Sequence, residues 1–155
     1  MVVIDMNPTD IHRGEEELPW VDDGQGSLYK ILVAKVREGL WIVRNRFEPG
    51  VQVQTHRHTG PVYAYTISGC WNYAESEFVN RAGSFLYEPA GSQHTLMVPE
   101  DNDEVTDVWF QIYGANLNLG ADGKIETVTD AAFVLGAYRS ACARIGRPDP
   151  VVIID

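Results

Sequence analysis

Two histidines, His56 and His58, stand one residue apart in the stretch THRHTGPV, just ahead of a Gly60-Pro61 turn. The chain has four histidines in all, so a pair at this spacing calls for a chemical reason. Residues two apart on a β-strand project from the same face, and two imidazoles on one face can grip one metal ion. Taken alone, such a pattern more often marks surface histidines or imidazoles hydrogen-bonded to backbone. Cys70 and Cys142 offer no rival chemistry: they have no CxxC spacing, and no histidine lies near Cys70 to activate it.

The segments around the pair read as strands. SLYKILVAKV (27–36), LWIVRNRF (40–47), VQVQTHRH (51–58), VYAYTIS (62–68), CWNYAE (70–75), SFLYE (84–88), HTLMV (94–98) and VTDVWFQIYG (105–114) are short runs rich in β-branched and aromatic residues. Glu-Gly, Pro-Gly, Gly-Pro and Ala-Gly pairs punctuate them, as expected of a sandwich or barrel. LNLGADGKIETV adds a hairpin around Asp122-Gly123. One helix follows, capped by Thr129, with Phe133, Ala137, Ala141 and Ile145 recurring every four residues and Gly146 and Pro148 ending it. Its small apolar stripe predicts packing against the outside of the β structure and no part in chemistry. Residues 1–26, with two prolines, three glycines and three consecutive glutamates, form an N-terminal arm; 27–128 form the barrel and 129–155 the helix and tail, a single domain overall.

Acidic residues outnumber basic ones 22 to 12, a formal charge of -10, so phosphate backbones and anionic membrane surfaces are repelled. No run approaches the roughly 18 apolar residues of a membrane span, and the N-terminus lacks a basic region followed by an apolar one. These features predict a cytoplasmic protein with free thiols, without nucleic-acid or membrane partners.

The spacing around the histidines extends the pattern. Gly50 precedes His56 by five intervening residues, Gly69 closes the following strand, and GSFLYEPAGSQH reads as Gly83, five residues, Pro89, one residue, Gly91, two residues, His94. This arrangement resembles the two motifs of the cupin superfamily, a double-stranded β-helix or jelly roll that places metal ligands inside its barrel. The resemblance implies a three-histidine site of His56, His58 and His94. In the usual first motif a glutamate supplies a fourth ligand, but the corresponding positions here hold Val62 and Tyr63. Three neutral imidazoles would leave a divalent ion its full charge and favour a chelating anionic substrate.

The longer runs HRHTGPVYAYTISGCWNY, AGSFLYEPAGSQHTLMVPEDN and DVWFQIYGANLNL are similar to the single-domain cupin dioxygenases that cleave 2,4′-dihydroxyacetophenone, and more distantly to acetylacetone dioxygenase. That likeness implies iron(II), with zinc or another divalent metal as alternatives, and an aryl hydroxyketone or β-diketone substrate cleaved at a carbon–carbon bond by dioxygen into two carboxylic acids. It also draws attention to Glu88, which precedes Pro89. Glu88 is either a solvated charge at a strand end or a buried catalytic carboxylate that orients a ligand imidazole or handles a substrate proton. Val62, Ala64, Ala74, Val108, Phe110 and Ile112 are expected to line the substrate pocket, with alanines leaving room for an aromatic ring. Tyr63, Tyr65 and Trp71 fall on the opposite parity and are expected in packing or subunit contact, consistent with a homodimer or homotetramer. Two alternatives stay open: a zinc enzyme that hydrolyses or hydrates, and a metal- or ligand-sensing cupin of the anti-sigma-factor type. The sensing cupins are usually joined to a further domain, which is not expected in 155 residues filled by one barrel and its flanks.

Overall fold

The computed structural model describes residues 8–155; the first seven residues of the expected arm lie outside that range. The described elements are β1 (Val21–Asp22), β2 (Ser27–Lys35), β3 (Leu40–Phe47), β4 (His56–His58), β5 (Val62–Ser68), β6 (Cys70–Tyr73), β7 (Asn80–Arg81), β8 (Phe85–Glu88), β9 (Gln93–His94), β10 (Leu96–Met97), β11 (Thr106–Tyr113), β12 (Asn116–Leu119), β13 (Ile125–Thr129), α1 (Ala131–Arg144) and β14 (Ile153–Ile154). The strands pair in the orders β1-β2-β3-β11-β5-β8, β13-β12-β4-β9 and β10-β6-β7, antiparallel except for β14, which returns alongside β2 in parallel. This is the expected all-β jelly roll with one helix.

Alternation places the core. In β3, Trp41, Val43 and Phe47 are buried while Arg44 and Arg46 face outward; in β11, Val108, Phe110 and Ile112 point inward, and Val62 and Ala64 of β5 join them. Consecutive residues of β2 point to opposite faces, and a register shift follows between Ile31 and Val33. Ile31 enters the core, and Lys30 is buried beneath the arm. The arm is not free chain. Glu15 pairs with Lys30 at 3.1 Å and Arg44 at 2.8 Å, the Trp20 ring lies 4.1 Å from the Arg46 guanidinium, and Tyr138 of α1 donates to the Pro19 carbonyl at 2.6 Å.

Three expectations are corrected here. Trp71, expected in packing or subunit contact, is fully buried in the core, and Ala74, expected in the pocket, is exposed beyond the end of β6. The cause is Gly69, whose φ of +73° breaks the chain between β5 and β6. Parity counted along β5 therefore does not carry over, and odd-numbered Trp71 and Tyr73 turn inward. In the helix, Asp130 rather than Thr129 accepts from the Phe133 amide as N-cap, and the buried stripe is Ala131, Val134, Leu135, Tyr138, Ala141 and Cys142, leaving Phe133 and Ile145 exposed. Finally, only His56–His58 of the expected strand 51–58 is extended pairing, with one isolated bridge from Gln52 to Met97.

Gly69 also has no room for a side chain, since a Cβ there would stand 2.6 Å from the Thr106 Cα. Gly69→Ala is therefore expected to lose about 2–4 kcal/mol of stability, combining left-handed strain with overpacking against backbone. A urea-denaturation midpoint equal to that of the unmodified protein would remove this role from Gly69.

Candidate metal centre

The three histidines of the two motifs meet on one sheet. β4 lies between β12 and β9, with His56 directly opposite His94 and, on the other side, His58 opposite Asn116. The second-motif turn holds this pairing: the His58 amide donates to the Ser92 carbonyl at 2.9 Å, and the Gly91 amide donates to the His58 carbonyl at 2.8 Å. Gly91 adopts φ +86°, a conformation that explains a glycine at that place. Behind the site, Thr55 and Thr95 share a 2.6 Å hydrogen bond, and Thr95 donates from both its amide and its hydroxyl to Glu75.

All three imidazoles are buried, and their candidate ligand nitrogens lie within 4.8 Å of one another. His56 Nδ1 is 2.9 Å from the Gln54 carbonyl. Donating there fixes the tautomer and leaves Nε2 for a metal. His58 Nε2 and His94 Nε2 face each other at 3.0 Å. Two nitrogens each about 2.1 Å from a common ion and at right angles to one another stand about 3.0 Å apart, so this pair is spaced for a shared cation, with His56 alongside. Burial holds His56 below its usual value and takes His94 down to about 4. Both are therefore neutral near pH 7, the form that binds metal.

Glu88, at the end of β8, is 3% exposed, which selects the buried alternative left open by sequence. Its Oε2 stands 3.0 Å from His58 Nε2 and 3.5 Å from His94 Nε2, without a satisfactory hydrogen bond. Burial pushes its carboxyl up, but the contact with His58, the neighbouring His94 and a hydrogen bond from Tyr73 outweigh it, and the group lies below the ordinary carboxylate value. Tyr73 was not among the residues singled out by sequence. Its hydroxyl donates to Glu88 Oε1, and its ring stacks on His94 at 3.7 Å with planes 10° apart. Burial first, and then the charge of Glu88, push its phenol well above the usual range, so it remains a donor. The signal was present in CWNY: restarting the alternation at Gly69 pairs Trp71 with Tyr73 on one face.

A cavity of about 250 Å³ opens onto His56, His58, Tyr73 and Glu88. Ile31, Val43, Phe47, Leu96, Phe110 and Ile112 give it apolar walls, and Asn45, Asn116 and Asn118 add polar points. Of the six expected pocket residues, Phe110 and Ile112 line this cavity; Val62, Ala64 and Val108 are core residues behind it, and Ala74 is at the surface. The room for a ligand thus comes from the spacing of the sheets and not from the two alanines. The helix is involved after all, since Val134 and the adjoining Thr129 line the cavity.

The sequence matches the family model of the ChrR cupin-like domain over residues 9–110. No curated protein matches it. Among solved structures, a protein of unknown function with a cupin-like fold from Ralstonia eutropha JMP134 is 31% identical, with 98% of this chain and 96% of that one covered and a TM-score of 0.90. An acetylacetone dioxygenase from Acinetobacter johnsonii is 15% identical over 91% of this chain and 99% of its own, with a TM-score of 0.74. ChrR of Rhodobacter sphaeroides, solved as the anti-sigma partner of SigE, is 17% identical over 64% of this chain and 52% of that one, at 0.53. The last two likenesses are of fold alone.

Proposed function

The chain belongs to the ChrR cupin-like domain family, and from that footing we propose that it is a non-haem iron(II) dioxygenase that cleaves an aryl hydroxyketone beside its carbonyl. The observation that supports this most is the junction of a buried three-histidine cluster with an apolar cavity that also holds a carboxylate. His56, His58 and His94 would hold the iron, which when bound supplies Lewis acidity toward the ketone oxygens and the redox capacity that dioxygen chemistry needs. The protein does the rest. Phe110, Ile112, Phe47 and Leu96 seat the aryl ring and keep water from the reacting carbons. Glu88 is the nearest base to the histidine cluster and is placed to accept the proton that the hydroxyketone loses. Tyr73, donating to Oε1, leaves Oε2 free for that task.

The overall change balances without a further reductant. The bond between the carbonyl and hydroxymethyl carbons breaks, one oxygen atom of dioxygen enters each fragment, and an aryl carboxylic acid and formic acid result. A metal-sensing domain is the second reading, favoured by the match to a family described after ChrR. Oxygen uptake by protein reloaded anaerobically with iron(II), over a panel of aryl hydroxyketones, decides between them. One dioxygen consumed per ketone, with heavy-oxygen label in both acids, is the expected result. No uptake across the panel would favour the sensing domain.

A further inference from the structure

The chain lacks the first-motif carboxylate, because Val62 occupies a position where a ligand glutamate is expected. In the β5–β8 register, the residue directly opposite Val62 is Glu88. Both are buried, so a carboxylate enters the barrel at the level where the motif omits one, carried by the neighbouring strand. Its two oxygens are used differently. Oε1 is held by the Tyr73 hydroxyl, whereas Oε2 is directed to the place where His58 Nε2 and His94 Nε2 converge, at 3.0 and 3.5 Å, and has no hydrogen-bond partner. A buried carboxylate oxygen left without a partner is costly. A cation shared with the two imidazoles satisfies it.

We propose that Glu88 Oε2 is a fourth protein ligand of the metal, delivered from β8 in place of the first-motif carboxylate, and that Tyr73 is the positioning residue that holds it. Tyr73 fixes two ligands at once, Glu88 through its hydroxyl and His94 through its ring. The site is then three imidazoles and one carboxylate, and a divalent ion in it keeps a single net positive charge. On the hydroxyketone reading, the incoming substrate displaces Oε2 from the metal, which frees that oxygen to take the substrate's proton.

The test needs no turnover, so its failure is distinct from failure of the dioxygenase reading. Metal-free protein, Glu88→Gln and Tyr73→Phe are titrated with zinc in competition with a chromophoric chelator, and their cobalt(II) absorption spectra are compared. Glu88→Gln is expected to bind zinc about 100- to 1,000-fold more weakly, a single ligand's share of the affinity of a four-ligand site, with altered cobalt bands. Tyr73→Phe keeps the stacked ring, and is expected to weaken zinc about 10- to 100-fold with the cobalt bands retained. If Glu88→Gln proves unstable, the infrared difference between zinc-loaded and metal-free unmodified protein serves instead, and a shifted carboxylate stretch is expected. Unchanged cobalt bands in Glu88→Gln, or no carboxylate shift in the unmodified protein, would overturn the assignment.

Discussion

Alanine in place of His56, His58 or His94 is expected to abolish stoichiometric metal binding and to leave a folded barrel. The size of the effect follows from the ligand count. Structural zinc sites contribute about 10–16 kcal/mol through four ligands, roughly 2.5–4 kcal/mol each, so one missing imidazole weakens binding by a factor of about 10²–10³. That is enough to lose the ion during purification. Folding should survive because the core is built from other residues: Trp71, Ile31, Val108 and Tyr138 are buried without touching the ligand set through any hydrogen bond. Trp71, for instance, spends its Nε1 donor on Thr66 Oγ1 at 2.9 Å. The measurement is metal content after gel filtration, alongside thermal unfolding of the same samples. His12→Ala is the control, since His12 is exposed on the arm and far from the cluster in sequence; it should retain the full metal content. Full stoichiometry in any of the three cluster variants would remove that residue from the site.

What the sequence revealed and what it hid divide along the range of the determining forces. The placement of His56 and His58 is local: a spacing of two on one short strand puts both on one face, and Pro89, Gly91 and His94 form a turn whose own backbone requirements make it recognisable. The alternation in LWIVRNRF and TDVWFQIY was legible for the same reason, because period two is set within each strand. Tyr73 was hidden because its direction depends on a break at Gly69 and on β6 pairing with β10 and β7, not with β5. Glu88 was readable as a candidate but its burial was not, because that depends on Val62 standing opposite it 26 positions earlier in the chain. The arm shows the same limit. Nothing in EEELPW indicates that Glu15 would find Lys30 and Arg44, or that Trp20 would lie under Arg46, since those partners come from two strands and a register. The helix face was misread because Phe133 counts as apolar in a periodic pattern, yet burial is decided by which side of α1 meets β2.

The zinc-loaded protein is expected to bind the same aryl hydroxyketones as the iron(II) form and to turn over none of them. On the dioxygenase reading, recognition would be carried by parts of the chain that do not depend on which divalent ion is present. The apolar walls around Phe110 and Ile112 would then receive the ring, Asn45 and Asn116 would offer polar contacts, and Glu88 with Tyr73 would set the charge at the cavity's inner end. Both ions carry the same charge and accept nitrogen and oxygen donors, so binding affinities measured by calorimetry should agree within about an order of magnitude. Turnover differs in kind, because zinc has no redox chemistry and cannot support the reaction of dioxygen with the bound ketone. The expected ratio of rates is therefore set by residual iron in the zinc preparation. Two results would redirect the assignment. Ketone cleavage by the zinc form in the strict absence of oxygen would point to a hydrolytic enzyme whose carboxylate at Glu88 serves water. Failure of both forms to bind any member of the panel would leave the three-histidine site intact and move its purpose toward sensing the metal itself.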